Sequence, residues 1–369
     1  MGDSNSTAFS LTFNGSLRVE GRPEKLTGNA GLVLLRELDD KLSISDVLVD
    51  SLKDCRLPTR VVDSQTQMMR SLVHSMAVGS MHANAAAEQG DDHLFRVTSS
   101  DKRGLTMIDD DQAIASQPTL SRFMATLSTE ANLPRMRGGI FDSAAKGVVA
   151  SNGGRLDAVT LDIDSYPIYV HGQQAGSEYN GHDKARCYHP LGVMLGETGD
   201  WLDLELRPGN VHTANGAKAM LGPLIDQTRE RIADTVYARG DAGFIEPGFL
   251  DMLDEKGVPY ALRLPTNSVL KDYEEIHARR CPGRRPGYEQ IICHEIDYRP
   301  ATWKKPRRVV LVVVDTPGDL FLHSFFIVTS FREDELCGRD VLDFYRARET
   351  MESHIGEMKS VIELSLIHI

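Results

Sequence analysis

Two periods govern where this chain places its apolar side chains, and the change between them divides it. Before residue 150 the interval is three to four, which predicts helices over residues 31–42, 44–52 and 65–78 behind a strand-like opening at 9–19. Asp91, Asp92 and the aspartates at 109–111 mark acidic turns. Ser116, followed by Gln117 and Pro118, reads as a capped helix start with proline tolerated in the first turn. With the helices before it, that segment fits a DNA-binding helix-turn-helix as well as an ordinary packed helical domain. Glycines cluster between residues 138 and 154 without the spacing of a GxGxxG or Walker loop, and they read as a linker.

From residue 156 the period drops to two. Val159, Leu161 and Ile163 fall on one face of a strand over 156–164, and Thr160, Asp162 and Asp164 on the other. Further strands are expected at 166–171 and 187–195, with an optional one at 201–206. A long helix over 214–234, a strand at 235–239, a short helix at 248–255 and a strand at 260–264 follow. The order three strands, helix, strand, helix, strand is an antiparallel meander running into βαβ units. Strand-like runs at 308–315 and 321–330, joined by the Thr316–Asp319 turn, then interrupt the pattern. The expected fold is therefore α/β. A mostly helical region (1–150) precedes the first part of a mixed-sheet core (151–264), a β-rich insertion (265–335) and the last core helix (336–369).

That last helix carries an unusual stripe. Tyr345, Arg348, Glu352 and Lys359 stand at offsets 0, 3, 7 and 14, which at about 100° per residue puts all four within roughly 60° of one another. Phe344, Ala347, Met351, Ile355, Met358 and Ile362 make the adjoining apolar face. An Arg348–Glu352 pair at i,i+4 is common on solvated helices, so the stripe gains meaning only from two carboxylates upstream. Asp164 ends the first core strand, and Asp241 follows the strand after the long helix. In an α/β sheet such chain ends converge on one crevice. Three carboxylates without histidine or cysteine partners suit hard cations, Mg²⁺ or Mn²⁺, and a pair of such ions serves in-line phosphodiester displacement. Asp162, on the same face as Asp164, is a further candidate ligand. Arg348 and Lys359 are placed to hold substrate phosphates.

Composition narrows the partners. Hydrophobic residues at 41% and charged residues at 25% are ordinary for a globular chain, and the longest apolar run, 309–314, is too short for a bilayer. Five cysteines with no CxxC pair fit a reduced, cytoplasmic protein without a zinc site of usual spacing. The net charge of −12 argues against a generally basic surface, so phosphate binding must be local. Residues 271–308 are the local exception, with ten basic side chains against six acidic ones.

The spacing Tyr345, Arg348, Glu352, Lys359 resembles the C-terminal signature of bacterial insertion-sequence transposases of the DDE class. The resemblance extends to Leu161–Asp164, His171–Gln173, Leu206–Asn210, Arg239–Asp241 with Gly243 and Phe244, and Ser116–Arg122. It spans roughly residues 26–359. It implies an RNase H-like core with a β-rich insertion, and Asp164, Asp241 and Glu352 as the catalytic, metal-binding triad of a two-metal site. Asp164 is preferred over Asp162 because a small polar residue, Ser165, follows it. Also implied are cleavage at terminal inverted repeats, joining of 3′-OH ends to target DNA, and a homodimer on DNA. Tyr345, Arg348 and Lys359 would contact DNA, as would Trp303, Lys304, Lys305, Arg307 and Arg308 of the insertion, with Trp303 stacking on a base. The alternatives are an RNase H-like nuclease that does not join strands and an inactive, truncated DNA-binding remnant. The chain ends ten residues after Lys359, short of where the family continues, and residues 365–369 resemble translated adapter sequence.

Overall fold

Val159, Leu161 and Ile163 are completely buried, and so is every second residue from Val309 to Val313, on the same side of one sheet. The structure is a computed structural model that describes residues 9–11, 14–19, 27–80, 89–103, 114–280 and 287–360. The expected acidic turn at 109–111, Cys281, Arg284, Arg285, Ile362 and residues 365–369 lie outside these. The chain divides into two compact units, Met1–Lys41 with Arg56–Ala125, and Leu42–Cys55 with Thr126–Ile369.

In the first unit a short hairpin, β1 (Phe9–Leu11) and β2 (Asn14–Val19), precedes helix α1 (Leu32–Leu42), whose last residue belongs to the second unit. Helices α3 (Gln65–Ala77), α4 (His93–Ser99) and α5 (Gln117–Leu127, its last two residues in the second unit) follow. Ser64 and Asp92 cap α3 and α4 by accepting from backbone amides of the first turn. Asp92, expected only as part of a turn, is thus a helix start. Arg70 of α3, buried, donates to Asp39 of α1 at 2.7 Å and to Asp101 at 3.1 Å.

The second unit holds α2 (Ile44–Asp50), α6 (Leu133–Asn152) and the large sheet. Of the glycines read as a linker, Gly153 and Gly154 end α6, and Gly138, Gly139 and Gly147 lie inside it. Gly139 explains why: a β-carbon there would stand 3.2 Å from the Leu48 Cα, so its bare backbone lets α2 and α6 pack closely. Packing overrides the low helix propensity of glycine.

The core strands are β3 (Leu156–Ser165), β7 (Leu191–Leu195), β8 (Trp201–Glu205), β9 (Ala233–Gly240) and β10 (Tyr260–Leu264). Helix α7 (Ala217–Arg231) leads into β9, and α8 (Pro247–Glu255) leads into β10. β7 runs antiparallel to β3 and β8, while β9 runs parallel to β3 and β10. Across the sheet the order is β8-β7-β3-β9-β10, or third, second, first, fourth, fifth in chain order. That is the RNase H-like arrangement. The membership differs from the expectation, and the single strand expected at 187–195 is broken at His189 and Pro190 into two strands of different sheets. The optional strand at 201–206 belongs to the sheet, whereas the 166–171 run forms β4 (Ile168–Tyr169) of a separate three-stranded sheet with β5 (Glu178–Asn180) and β6 (Ala185–Tyr188).

The insertion adds helix α9 (Ser268–His277) and strand β11 (Gln290–Tyr298), both unforeseen, and the expected strands β12 (Arg307–Asp315) and β13 (His323–Thr329). These strands continue the core sheet, because β13 pairs antiparallel with β10 and the order runs on to β12 and β11. Residues of α6, α7, α8 and α9 cover one face of the eight strands. The other face receives α10 (Gly338–Arg346) against Ala261, Val310, Val312 and Ile327, and α11 (Glu349–Ser360) against Met194. The expected single C-terminal helix is therefore two, parted by a turn at Ala347 and Arg348. Ala347, assigned to the apolar face, is exposed at that joint.

Candidate active site

Strand pairing sets two carboxylates side by side. Ile163 of β3 is registered opposite Gly240 of β9, so Asp164 and Asp241 come next on two adjacent parallel strands at the same sheet end. Gly240 is required there, since a β-carbon would fall 2.8 Å from Leu262 and 2.9 Å from Ile163. The Ser165 amide donates to Asp164 Oδ1 at 2.8 Å. The Ser165 hydroxyl is itself fixed, donating to the Pro190 carbonyl (2.9 Å), accepting from Arg207 (2.6 Å) and meeting His189 Nδ1 at 2.5 Å. Buried Arg207 also donates to the carbonyls of His189, Thr213 and Asn215, which ties the 206–210 segment to the end of β3.

The third carboxylate arrives through the break between α10 and α11. Arg348 sits in that break, with its side chain only 9% exposed. Its Nη2 donates to Asp164 Oδ2 and its Nη1 to Glu352 Oε1, each at 2.9 Å. Asp164 is 14% exposed and Glu352 58% exposed, so the pair links a sheltered carboxylate to an open one. Burial pushes the Asp164 carboxyl above its usual range, the Arg348 guanidinium and Ser165 amide pull it down, and the nearby charges of Asp241 and Glu352 push it up again. Asp164, Asp241 and Glu352 therefore share one electrostatic neighbourhood, centred on Arg348.

Tyr345 is buried under the same cluster, and Lys359 lies over the Tyr166 ring at 5.0 Å. Burial lowers the Lys359 ammonium from its usual value, while Asp164 and Asp183 pull it back up. Burial, then the charge of Asp164, raises the Tyr166 phenol to about 12. Two buried polar atoms here, Arg348 Nε and Tyr166 Oη, have no hydrogen-bond partner.

Other sequence-predicted residues have different employment. Asp162 is fully buried, and both its oxygens accept from Arg239, at 2.6 and 2.7 Å. It does not present an oxygen to the Asp164 crevice as a metal ligand would. Arg239 in turn donates to the Phe344 carbonyl at 2.9 Å, so the pair fastens α10 onto the sheet. Gly196 makes room for it, because a β-carbon would collide with the guanidinium.

The insertion's cations are largely paired within the fold. Trp303 is buried, edge-on to Tyr298 at 5.7 Å and under Arg307 at 5.0 Å, so it does not offer a face to a base. Arg307 is buried on Asp251, Asp254 and the Tyr260 hydroxyl. Lys304 and Lys305 reach Asp251 and Asp254, at 2.8 and 3.1 Å, and Arg308 forks onto Glu295 with two 2.7 Å bonds. Sequence reading missed Tyr166, His189, Arg207 and Arg239. Only the arginines left a signal, each standing in a segment already singled out.

Among the described residues, no three His, Cys, Asp or Glu side chains lie close enough together to hold a metal ion. The donor chemistry of Asp164, Asp241 and Glu352 suits a hard divalent cation, with Arg348 bridging two of them. A groove of about 640 Å³ elsewhere, lined by Asp50, Asp142, Lys146 and Arg231, includes none of these residues.

An RNase H-like sheet with acidic residues at the ends of its first and fourth strands, linked through Arg348 to a glutamate of the last helix, is the arrangement of a class of nucleic-acid-processing enzymes. Over residues 9–367 the chain matches the transposase DDE domain group 1 family and belongs to it. The protein is a transposase, and transposases act on DNA. A search of curated proteins finds no match. Among solved structures, the chain is similar to a piggyBac transposase synaptic complex with hairpin DNA, at 12% identity and a TM-score of 0.41, covering 90% of this chain and 68% of that one. It is also similar to the NurA nuclease from Sulfolobus solfataricus, at 10% identity and a TM-score of 0.26, covering 65% and 97%. Likenesses this loose add nothing to the strand order. No described helix is long and apolar enough to cross a membrane.

Proposed function

We propose that Asp164, Asp241 and Glu352 are the catalytic carboxylates of a DNA transposase that cleaves at the ends of an insertion sequence and joins the freed 3′-OH ends to target DNA. The observation that carries this is the Arg348 bridge, which brings Glu352 to Asp164 across 184 residues of chain between arginine and aspartate. The oxygen donors of the three carboxylates suit Mg²⁺ or Mn²⁺, which they would hold on closing further than they stand around Arg348. Bound there, the ions supply Lewis-acid activation of the attacking oxygen and stabilisation of the leaving one.

The rest follows from the protein's own groups. The cleaved strand lies across the ends of β3 and β9, and Arg348 and Lys359 hold its phosphates by charge-assisted hydrogen bonds. The Arg348 Nε, buried without a partner, supports an oxyanion beside it. Tyr345 packs beneath and orients Arg348. Water attacks first and the 3′-OH second, by the same in-line displacement. The helical region up to residue 150 binds the terminal repeats and pairs two copies on DNA, in the cytoplasm.

The test is Mg²⁺- or Mn²⁺-dependent cutting and joining of labelled DNA carrying the element's ends, in wild type and Glu352→Ala. Metal-dependent cutting that the substitution abolishes, with labelled ends recovered in a plasmid, supports the assignment. Cutting that survives in Glu352→Ala overturns it, and cutting without joining replaces it with a nuclease.

A further inference from the structure

Two buried arginines meet the aspartates of β3, and they are held differently. Arg239 commits all three guanidinium nitrogens. Nε and Nη2 donate to the two oxygens of Asp162, at 2.6 and 2.7 Å, and Nη1 donates to the Phe344 carbonyl at 2.9 Å. Every one of its partners is inside the fold, so it is a lock. Arg348 instead divides its fork between two carboxylates on different elements, Asp164 of β3 and Glu352 of α11, and its Nε has no partner. The Glu352 end of that fork is 58% exposed, an open ion pair of the kind that water and salt weaken.

The Asp164 end is sheltered, and there the guanidinium occupies an atom that a metal ion would use. Asp164 Oδ1 accepts from the Ser165 amide at 2.8 Å, and Oδ2 accepts from Arg348 at 2.9 Å. A hard divalent ion takes a carboxylate oxygen at about 2.1 Å, and a fixed positive charge beside it repels the ion. The guanidinium cannot yield by losing its proton. It has to move, and the acceptor that suits its fork best after a carboxylate is a phosphate. Once it leaves, Asp164, Asp241 and Glu352 face one another's charges, so another cation has to take its place.

On the transposase site proposed above, we infer that Arg348 is an exchangeable counter-cation of the triad. It holds Asp164 and Glu352 until a DNA phosphate takes its fork, and the freed carboxylates then close on a divalent ion. DNA and the ion therefore assist each other's binding through one side chain, and the coupling is reciprocal.

The test reads ion binding rather than cutting. Mn²⁺ titrations of the full chain, followed by electron paramagnetic resonance of the free ion, are run without DNA and with a duplex ending in the element's pre-cut 3′-OH. Without DNA, Arg348→Gln should bind Mn²⁺ about tenfold tighter than wild type and Arg348→Lys about threefold tighter. Lys359→Gln, which removes a second cation near Asp164, should change it less than about twofold. The duplex, corrected for the ion it binds alone, should tighten Mn²⁺ about tenfold in wild type and less than about threefold in Arg348→Gln. Circular dichroism checks folding, and Arg348→Lys decides if Arg348→Gln does not fold. Unchanged or weaker DNA-free binding in the folded variant overturns the exchange. So does equal tightening in Lys359→Gln, which would be an effect of net charge alone, and so does an equal gain from the duplex in wild type and Arg348→Gln. Asp164→Asn tells the two assignments apart. Mn²⁺ binding that survives it brings down the triad itself, whereas binding that it removes while Arg348→Gln matches wild type brings down only the exchange.

Discussion

Asp162 and Asp164 differ by one strand period and have opposite lives. The period-two pattern put both on one face, and they are, but it could not show that Arg239 on the neighbouring strand consumes the first. A buried pair broken on one side leaves a bare charge, so Arg239→Met should lower stability by about 3–5 kcal/mol in urea unfolding. Replacing both partners, Asp162→Leu with Arg239→Met, should cost much less. His74 gives a second residue-scale expectation. Burial, then the charge of Arg70, lowers its imidazole to about 4. Its folded value lies below its unfolded one, so stability is complete above pH 6.5 and is lost as pH falls from 6.5 towards 4. The loss should reach about 3 kcal/mol. The difference in urea midpoint between pH 7 and pH 4.5 should shrink in His74→Gln, and an equal difference in both proteins would refute the assignment.

At the scale of elements, β3, β9, α8 and β10 were legible because alternation and turn residues bound them clearly. The break between α10 and α11 was not, since neither glycine nor proline marks Ala347 and Arg348. The stripe on one continuous helix is in fact assembled across a joint, with Tyr345 before it and Glu352 after. α6 shows the opposite failure, a glycine-rich segment that packing makes helical. Two adjacent glycines there should respond differently. Gly138 has open space around it, so Gly138→Ala should raise stability by about 0.5–1 kcal/mol. Gly139 faces the α2 backbone, and Gly139→Val should lose about 1–3 kcal/mol. Thermal unfolding of the two variants separates helix propensity from packing.

For the whole molecule, counting charge along the sequence located a basic insertion but not its internal pairing, because Asp251 and Asp254 lie some fifty residues before the cations they hold. Salt dependence of DNA binding should expose the difference. Lys304→Ala with Lys305→Ala should leave the slope nearly unchanged, whereas Lys359→Ala should reduce it by about one unit. An equal effect of both would show that the insertion's pairs open on DNA. The sheet itself links the two ends of the site's history. Asp164 and Asp241 stand at the tips of strands that can pair as soon as β10 is made, yet Glu352 must wait for three more strands and two helices. Contacts so distant in sequence form late. If the proposed triad is right, a nascent chain that has folded only as far as Leu264 carries two of the three carboxylates and cannot yet cut DNA.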